Sequence, residues 1–465
     1  MAGPLTTPAK ALSFFYLERN LYYQRDTEHD ALDASVKPYR LLVDCTKSGE
    51  DLLKDFQKGK LFYMGDIPMS IRGESFVKEN VQISDALSTM VCLLNQNAEI
   101  YNAAGDNVKL FENATVRKAL SMALNRDEIA KAVVYAEAAT ALIGPGIFEG
   151  VKSSKEDFRT TGGAIITNTK GDIEGAKALL SEAGINPSDF TFTIRVSADD
   201  DVNVAVAYMI QDAWNGQNGD SVTGLGFNVA VEEMITIENN DFSVDVGDTP
   251  TDVCDDRMNE ALRRASYEVA LCDYNAFSAD AYSMLSNFAF DFSGMAMTID
   301  PKTGEYYTNG HITGFNSQAY NDIMEAIYYI PYYASLTEES SDFLGLYDSV
   351  EEYQAVYARV GEVYGTYGIK PTTDSTGWTK QKARLLHAAE KILIEDEMAL
   401  IPVVFNKNAI LVSDDLSRVD SDYYSPATFR KTKLKDYEDY QLVFKKFPAV
   451  DWDMKGKKED ETTGK

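Results

Sequence analysis

The stretch Asn113-Ala-Thr-Val-Arg-Lys-Ala-Leu-Ser-Met-Ala-Leu-Asn-Arg-Asp-Glu-Ile129 decides how the rest of the chain is read. Val116, Ala119, Leu120, Ala123 and Leu124 fall at i, i+3, i+4, i+7 and i+8, one apolar face of a short helix. Asn113 stands where a side-chain oxygen can cap the first free N–H groups. Asn125 breaks the pattern, and Glu128 three residues later makes a variant of the capping box for a second helix. Ile129, Ala132 and Val133 give that helix its own stripe. The result is a capped corner between two helices, a packing unit with no chemistry of its own.

Outward from the corner, apolar period and helix punctuation recur. Ile173, Ala176, Leu179 and Leu180 predict a helix that Asp172 caps and that Gly184 and Pro187 stop. Phe190-Thr-Phe-Thr-Ile-Arg-Val196 alternates with period two, as a half-buried strand does. Residues 204–214 read as helix and 227–231 as strand, so the elements alternate as in an α/β lobe. Before the corner, residues 13–23 and 39–44 predict strands, and 49–56 a helix ending near Gly59. Residues 88–95 predict a buried strand, and 268–271 a short one. Leu385, Leu386, Ala389, Ile392 and Leu393 predict a late helix running into an apolar segment through Phe405, where Pro402 argues for an edge or a strand start. Residues 238–258 and 334–380 are acidic and rich in Ser, Thr and Gly, with weak periodicity, and predict surface insertions. The Lys-rich end from Lys455 predicts a frayed tail.

Composition narrows the function classes. A chain of 465 residues predicts two or three domains. A net charge of −29 repels phosphate backbones and anionic headgroups, which argues against a nucleic-acid partner and direct membrane adsorption. Cys45, Cys92, Cys254 and Cys272 form no CxxC pair, and His29, His311 and His387 are isolated, so no metal is expected. Cys92 and Cys272 lie in apolar runs that suit buried thiols, while spacing alone leaves disulfides open. No Gly-x-Ser-x-Gly elbow, His-Glu-x-x-His helix or phosphate loop occurs. No catalytic residue and no cofactor is therefore expected. No run approaches the roughly 20 apolar residues of a membrane span. The first ten residues lack a signal peptide's charged and apolar regions, and a cysteine to carry a lipid, so no export signal is expected within this chain.

The wording of the corner, from Phe111 to Ile129, together with the Ile143-Gly-Pro-Gly-Ile147 loop, resembles the signature of one family: the large extracellular solute-binding proteins of peptide-type ABC importers, which bind oligopeptides, dipeptides or nickel complexes. Further stretches are similar to the same family. They include Ala176-Lys-Ala-Leu-Leu-Ser-Glu-Ala-Gly184, Arg19-Asn20 with Tyr23, a loose match over residues 61–68, His311–Ala326, and Ala389–Val403, where Ala399 replaces a frequent proline. The resemblance implies an α/β, two-lobed periplasmic-binding-protein-like fold of the type II clamshell kind, with mixed sheets flanked by helices. On it, residues 1–85 form part of lobe 1, 86–405 lobe 2, and 406–465 the return to lobe 1 and a tail. It also implies that the N-terminal portion of the first lobe is absent. The expected function is a monomeric binding component that captures a small ligand, an oligopeptide foremost, between two lobes. It then delivers that ligand to ABC permease subunits outside the cell membrane or in a periplasm, lipid-anchored or free. The competing classes are an acidic hydrolase using paired carboxylates and a recognition module feeding a receptor.

The resemblance also points to a ligand wall in residues 267–285. Matched without gaps to the family pattern L-x-x-W-x-A-D-Y-x-D-P-x-T-F-L, Tyr274 falls on the tryptophan, Asp280 on the second acid and Phe277 on the first aspartate. In peptide binders that aspartate holds the ligand's α-amino group. A gapped match places Asp273-Tyr274 on D-Y instead. A buried ammonium needs a carboxylate partner, which Asp273 or Asp280 could supply. Tyr274, Phe277 and Tyr282 would form sequence-tolerant aromatic walls. The alternative is that these aromatics fill the core and the acids face water. The Tyr328-Tyr-Ile-Pro-Tyr-Tyr333 run offers the same choice between a stacking surface for sugars and core.

Overall fold

The computed structural model describes residues 14–18, 37–38, 40–44, 47, 49–65, 67–150, 154–216, 223–234, 258, 261–262, 265–276, 278–289, 297–299, 306–308, 313–333, 336, 349–371, 375–422 and 425–435. His29, His311, Cys45, Cys254, Phe277, the body of the 238–258 insertion and the Lys-rich tail lie outside these residues. The chain divides into two units, one of Ile83–Ala409 and one of Leu12–Gln82 with Ile410–Lys465. In the second unit, β1 (Phe14–Glu18) pairs antiparallel with β2 (Arg40–Asp44). Helix α1 (Gly49–Gln57) buries Leu53 and Phe56, and Gly59 just beyond it takes the positive φ of a helix stop. Strand β3 (Tyr63–Met64) pairs with Val412 and Leu411.

The first unit opens with β4 (Gln82–Leu94), the corner helices α2 (Ala114–Met122) and α3 (Arg126–Val133), and β5 (Ala136–Ala138). Next come β6 (Phe148–Gly150), α4 (Phe158–Gly162), α5 (Ile173–Glu182), β7 (Thr191–Ser197), α6 (Asp201–Asn215) and β8 (Asn228–Met234). The unit closes with β9 (Val269–Asn275), α7 (Gln318–Tyr333), α8 (Val350–Tyr367), α9 (Ser375–Lys391) and β10 (Leu400–Val412). Its sheet runs in the order β8-β7-β9-β4-β10, with β5 on β10. β7 is parallel to β8 and β9, whereas β9 is antiparallel to β4 and β5 to β10, so the α/β unit carries a mixed sheet.

The corner forms as its spacing predicts. Asn113 Oδ1 accepts from the Thr115 N–H at 2.9 Å, and Asn125 Oδ1 from the Glu128 N–H at 3.2 Å. Its two arginines are nevertheless buried with the apolar stripe. Arg117 donates to the carbonyls of Phe111, Glu112, Glu397 and Met398. Arg126 donates to Ser121 O, Ser121 Oγ and Pro402 O. Each thereby ties the corner to the turn and strand that follow α9. Burial draws both guanidinium pKa values down to about 10, with Glu397 pulling Arg117 the other way.

Trp214 is fully buried, and its Nε1 donates to Leu120 O at 3.0 Å, joining α6 to α2. Around it, Phe192 meets Phe111 and Phe227 edge-on at 5.1 and 5.5 Å between ring centroids. The outer strand β8 turns odd-numbered backbone groups away from β7. Asn215 answers the first of them, its Oδ1 accepting from Val229 N–H at 2.6 Å and its Nδ2 donating to Val229 O at 2.8 Å. Gln211 Nε2 donates to the same carbonyl at 2.8 Å.

Residues 350–367, expected as part of a surface insertion, form an 18-residue helix. Tyr353, Val356, Val360 and Tyr364 bury one stripe of it, and the Tyr364 hydroxyl donates to Ala326 O of α7 at 2.6 Å. Tyrosines and short residues blur an apolar period that the packed helix obeys. Pro402 is the third residue of β10, near the strand's start but inside it.

Candidate ligand-binding face

Strand β9 changes character along its length. Val269, Ala270 and Leu271 are buried together, as befits a strand between β7 and β4 with both faces covered. From Cys272 on, alternation returns: Asp273 and Asn275 are exposed and Tyr274 is buried. Asp273 accepts from Asn406 Nδ2 at 2.8 Å, and the same amide donates to Ser88 Oγ at 3.0 Å. Ser88 lies opposite Asn275 in the β9–β4 register. Next on β10, Lys407 Nζ reaches Asp85 Oδ1 at 2.5 Å and Glu137 Oε1 at 2.9 Å. Burial pulls the Lys407 ammonium down, but the two carboxylates outweigh it and hold its pKa above the ordinary lysine value. The lysine side chain is 11% exposed, whereas those of Asp85 and Glu137 are 44% and 58% exposed. The cation is recessed and the acids face water. Asn408 Nδ2 completes the group by donating to Asp85 O at 3.2 Å.

The five residues singled out from sequence divide in the structure. Asp273 stands on this polar end of the sheet. Tyr274 sits in the core: its hydroxyl donates to Met284 O at 2.8 Å, accepts from Asn287 Nδ2, and its ring lies against Phe288. Burial holds that phenol far above its ordinary pKa. Phe277 lies outside the described residues. Asp280 is 9% exposed and pairs with Lys382 of α9 at 3.3 Å. Tyr282 is half-buried, with the Lys382 ammonium 4.4 Å from its ring centroid. Burial first, and then the Asp280 charge, raise its phenol pKa.

Asn406, Lys407, Asn408 and Lys382 join these residues although no motif marks them. The polar triplet was findable, since Asn-Lys-Asn interrupts an apolar strand between Phe405 and Ala409. Lys382 left no signal, because nothing local marks which lysine of a helix meets a loop about 100 residues away.

The Arg159 guanidinium grips the fully buried Glu390 through two contacts of 3.0 and 2.9 Å, and Glu390 Oε1 also accepts from the Ile143 N–H. This pair anchors the Gly/Pro-rich loop. Thr161 Oγ1 and Glu149 Oε1 lie 3.3 and 3.0 Å from His387, but both reach the same ring nitrogen, Nε2. A hydroxyl–imidazole–carboxylate relay needs one partner on each nitrogen, so the trio lacks relay geometry. Cys92 and Cys272 are free thiols. Cys92 sits opposite Leu271 and Cys272 opposite Val91, so the two point to opposite faces of the sheet. Burial, with the Asp273 charge adding to it, pushes the Cys272 thiol up to about 12. Tyr333 stacks on Tyr357 at 4.8 Å, and Tyr329 and Tyr353 line the same tight seam between α7 and α8. Tyr328 and Tyr332, each 45% exposed, face out from the same helix. Among the described residues no group of three or more His, Cys, Asp or Glu could hold a metal, and no helix is long and apolar enough to cross a membrane.

Residues 13–295 match the family described as bacterial extracellular solute-binding proteins, family 5 Middle. No curated protein matches the chain in sequence. Among solved structures, Listeria monocytogenes OppA bound to peptide is 16% identical with a TM-score of 0.54, covering 91% of this chain and 62% of its own. The substrate-binding domain of an oligopeptide ABC transporter from Bacillus anthracis str. Ames is 14% identical, with a TM-score of 0.55 and coverages of 91% and 63%. Haemophilus influenzae OppA in complex with RPPGFSPFR is 16% identical, with a TM-score of 0.53 and coverages of 91% and 62%. The shared architecture is the type II periplasmic-binding-protein fold. The chain spans less than two thirds of the length of these relatives.

Proposed function

The chain belongs to the bacterial extracellular solute-binding proteins of family 5, a class of binders and not of enzymes, and we propose that it captures an oligopeptide and passes it unchanged to an ABC permease. The observation that carries this reading is the family match over residues 13–295. Peptide is the bound molecule in the Listeria and Haemophilus relatives. The protein works outside the cytoplasmic membrane, lipid-anchored or in a periplasm, as a monomer without nucleic acid. Ligand binding selects a conformation that the free protein populates little.

On the first unit the contact face is the polar end of the sheet, with Asp273, followed by the loop that passes Phe277 and reaches Tyr282. Tyr274 supports this loop from the core, and Asp280 shapes it through Lys382. Carboxylates toward water with a recessed ammonium suit ligands that present N–H groups. No bond of the ligand is made or broken. The reading is tested by native mass spectrometry after gentle purification. It expects a mass adduct that mild unfolding releases as sequenceable peptide. Turnover of peptides or glycosides by the purified chain overturns it.

A further inference from the structure

Asp280 and Lys382 bear on which end of a ligand this loop can accept. Each carboxylate oxygen has a partner within the fold. Oδ1 accepts from the Tyr282 N–H at 2.9 Å, and Oδ2 faces Lys382 Nζ at 3.3 Å. The Asp280 backbone is fixed as well. Its neighbours bond to Phe148 of β6 on both sides, Phe148 N–H donating to Ala279 O at 2.8 Å and Ala281 N–H to Phe148 O at 3.1 Å. Ser283 Oγ donates to Asp280 O at 2.8 Å. The lysine is placed with equal care: its side chain is 26% exposed and its ammonium lies over the Tyr282 ring at 4.4 Å. One carboxylate, one ammonium and one aromatic face thus form a closed set drawn from a loop and from α9.

We infer that Lys382 is a tethered counter-cation that occupies the place a ligand ammonium would take against Asp280, so this acid does not select ligands by a free amino terminus. The inference rests on the peptide-binding reading and sharpens its substrate class. A ligand amine at Asp280 must displace an ammonium held on the same polypeptide. The exchange swaps one ion pair for another, while the tether keeps the resident amine at high effective concentration. It also strips the cation from the Tyr282 ring. Peptides are therefore recognised at this loop through backbone and ring contacts, and any selection for a free amino terminus falls to Asp273 at the end of the sheet and not to Asp280.

The test compares Ala-Phe-Ala-Ala carrying a free amine with the same peptide N-acetylated, by calorimetric titration against the full chain and its Lys382→Met variant. The preference for the free amine over the acetylated peptide rises tenfold or more in K382M relative to the native chain. No gained preference in a folded K382M overturns the inference. Should K382M fail to fold, amine-reactive footprinting of the native chain decides. Labelling of Lys382 stays constant on adding the free peptide, and a rise shows the ligand amine has displaced it, overturning the inference. If neither peptide binds the native chain while a co-purified peptide does, the titration is repeated with that peptide free and acetylated, with the same two outcomes. If no peptide of any kind binds, the peptide-binding reading itself has failed, and the inference falls with it.

Discussion

The corner at Asn113–Ile129 buries its two arginines against carbonyl oxygens, whereas the polar end of the sheet turns Asp85, Glu137 and Asp273 toward water around a recessed lysine. Both regions lie in the Ile83–Ala409 unit and both engage β10, yet charge serves opposite ends in them. A buried guanidinium has five donors to place and cannot shed its charge in the physiological range, so every acceptor it reaches is fixed in position. Arg117 and Arg126 work as clamps. At the sheet end the partners are exposed carboxylates, for which exchange with solvent or a ligand costs little. Rigidity belongs to the first region, and exchange to the second.

The largest test of this contrast is Arg159→Ala, which strands Glu390 as a buried, unpaired carboxylate and should cost about 3–5 kcal/mol of stability. Urea unfolding measures it, and a loss below about 1 kcal/mol would break the claim that cations hold the interior of this unit. Next, Arg126→Ala removes the hydrogen bonds to Ser121 O, Ser121 Oγ and Pro402 O and should cost about 2–3 kcal/mol, with peptide affinity unchanged in the protein that remains folded. Asp273→Asn should invert that pattern: stability within about 0.5 kcal/mol of the native chain, and peptide affinity about tenfold weaker by calorimetry. Equal effects on both quantities would erase the distinction between the regions.

The smallest effect concerns Cys272, whose thiol is held up to about 12 by burial and by Asp273. The folded chain keeps its proton where the unfolded chain releases it, so folding is favoured below about pH 9 and loses ground between about pH 9 and 12. At pH 8 iodoacetamide should modify Cys272 slowly in the native chain and rapidly in urea. Equal rates would show that this part of β9 opens easily.

The same contrast explains what could be read from the sequence. The corner was legible because its determinants are local: an apolar period, Asn113 and Asn125 as caps, and a stop at each helix. The strand at 190–197 and the helix ending at Gly184 were legible for the same reason. The distant acceptors of Arg117 and Arg126, Met398 O and Pro402 O, were not legible, since they lie about 280 residues away. The aromatic loop misled in one respect. Tyr274 offers the same letters whether it faces a ligand or the core, and only the β9–β4 register puts it on the inner face. Helix α8 escaped because its buried stripe uses Tyr353 and Tyr364, residues equally at home on a surface.

Asn215 lends the outer strand a borrowed peptide group. Its side-chain amide meets the N–H and carbonyl of Val229 as a neighbouring chain would, so the first outward rung of the ladder is already taken. A second molecule seeking to extend the sheet there finds no open pair, and edge-to-edge polymerisation lacks its first foothold.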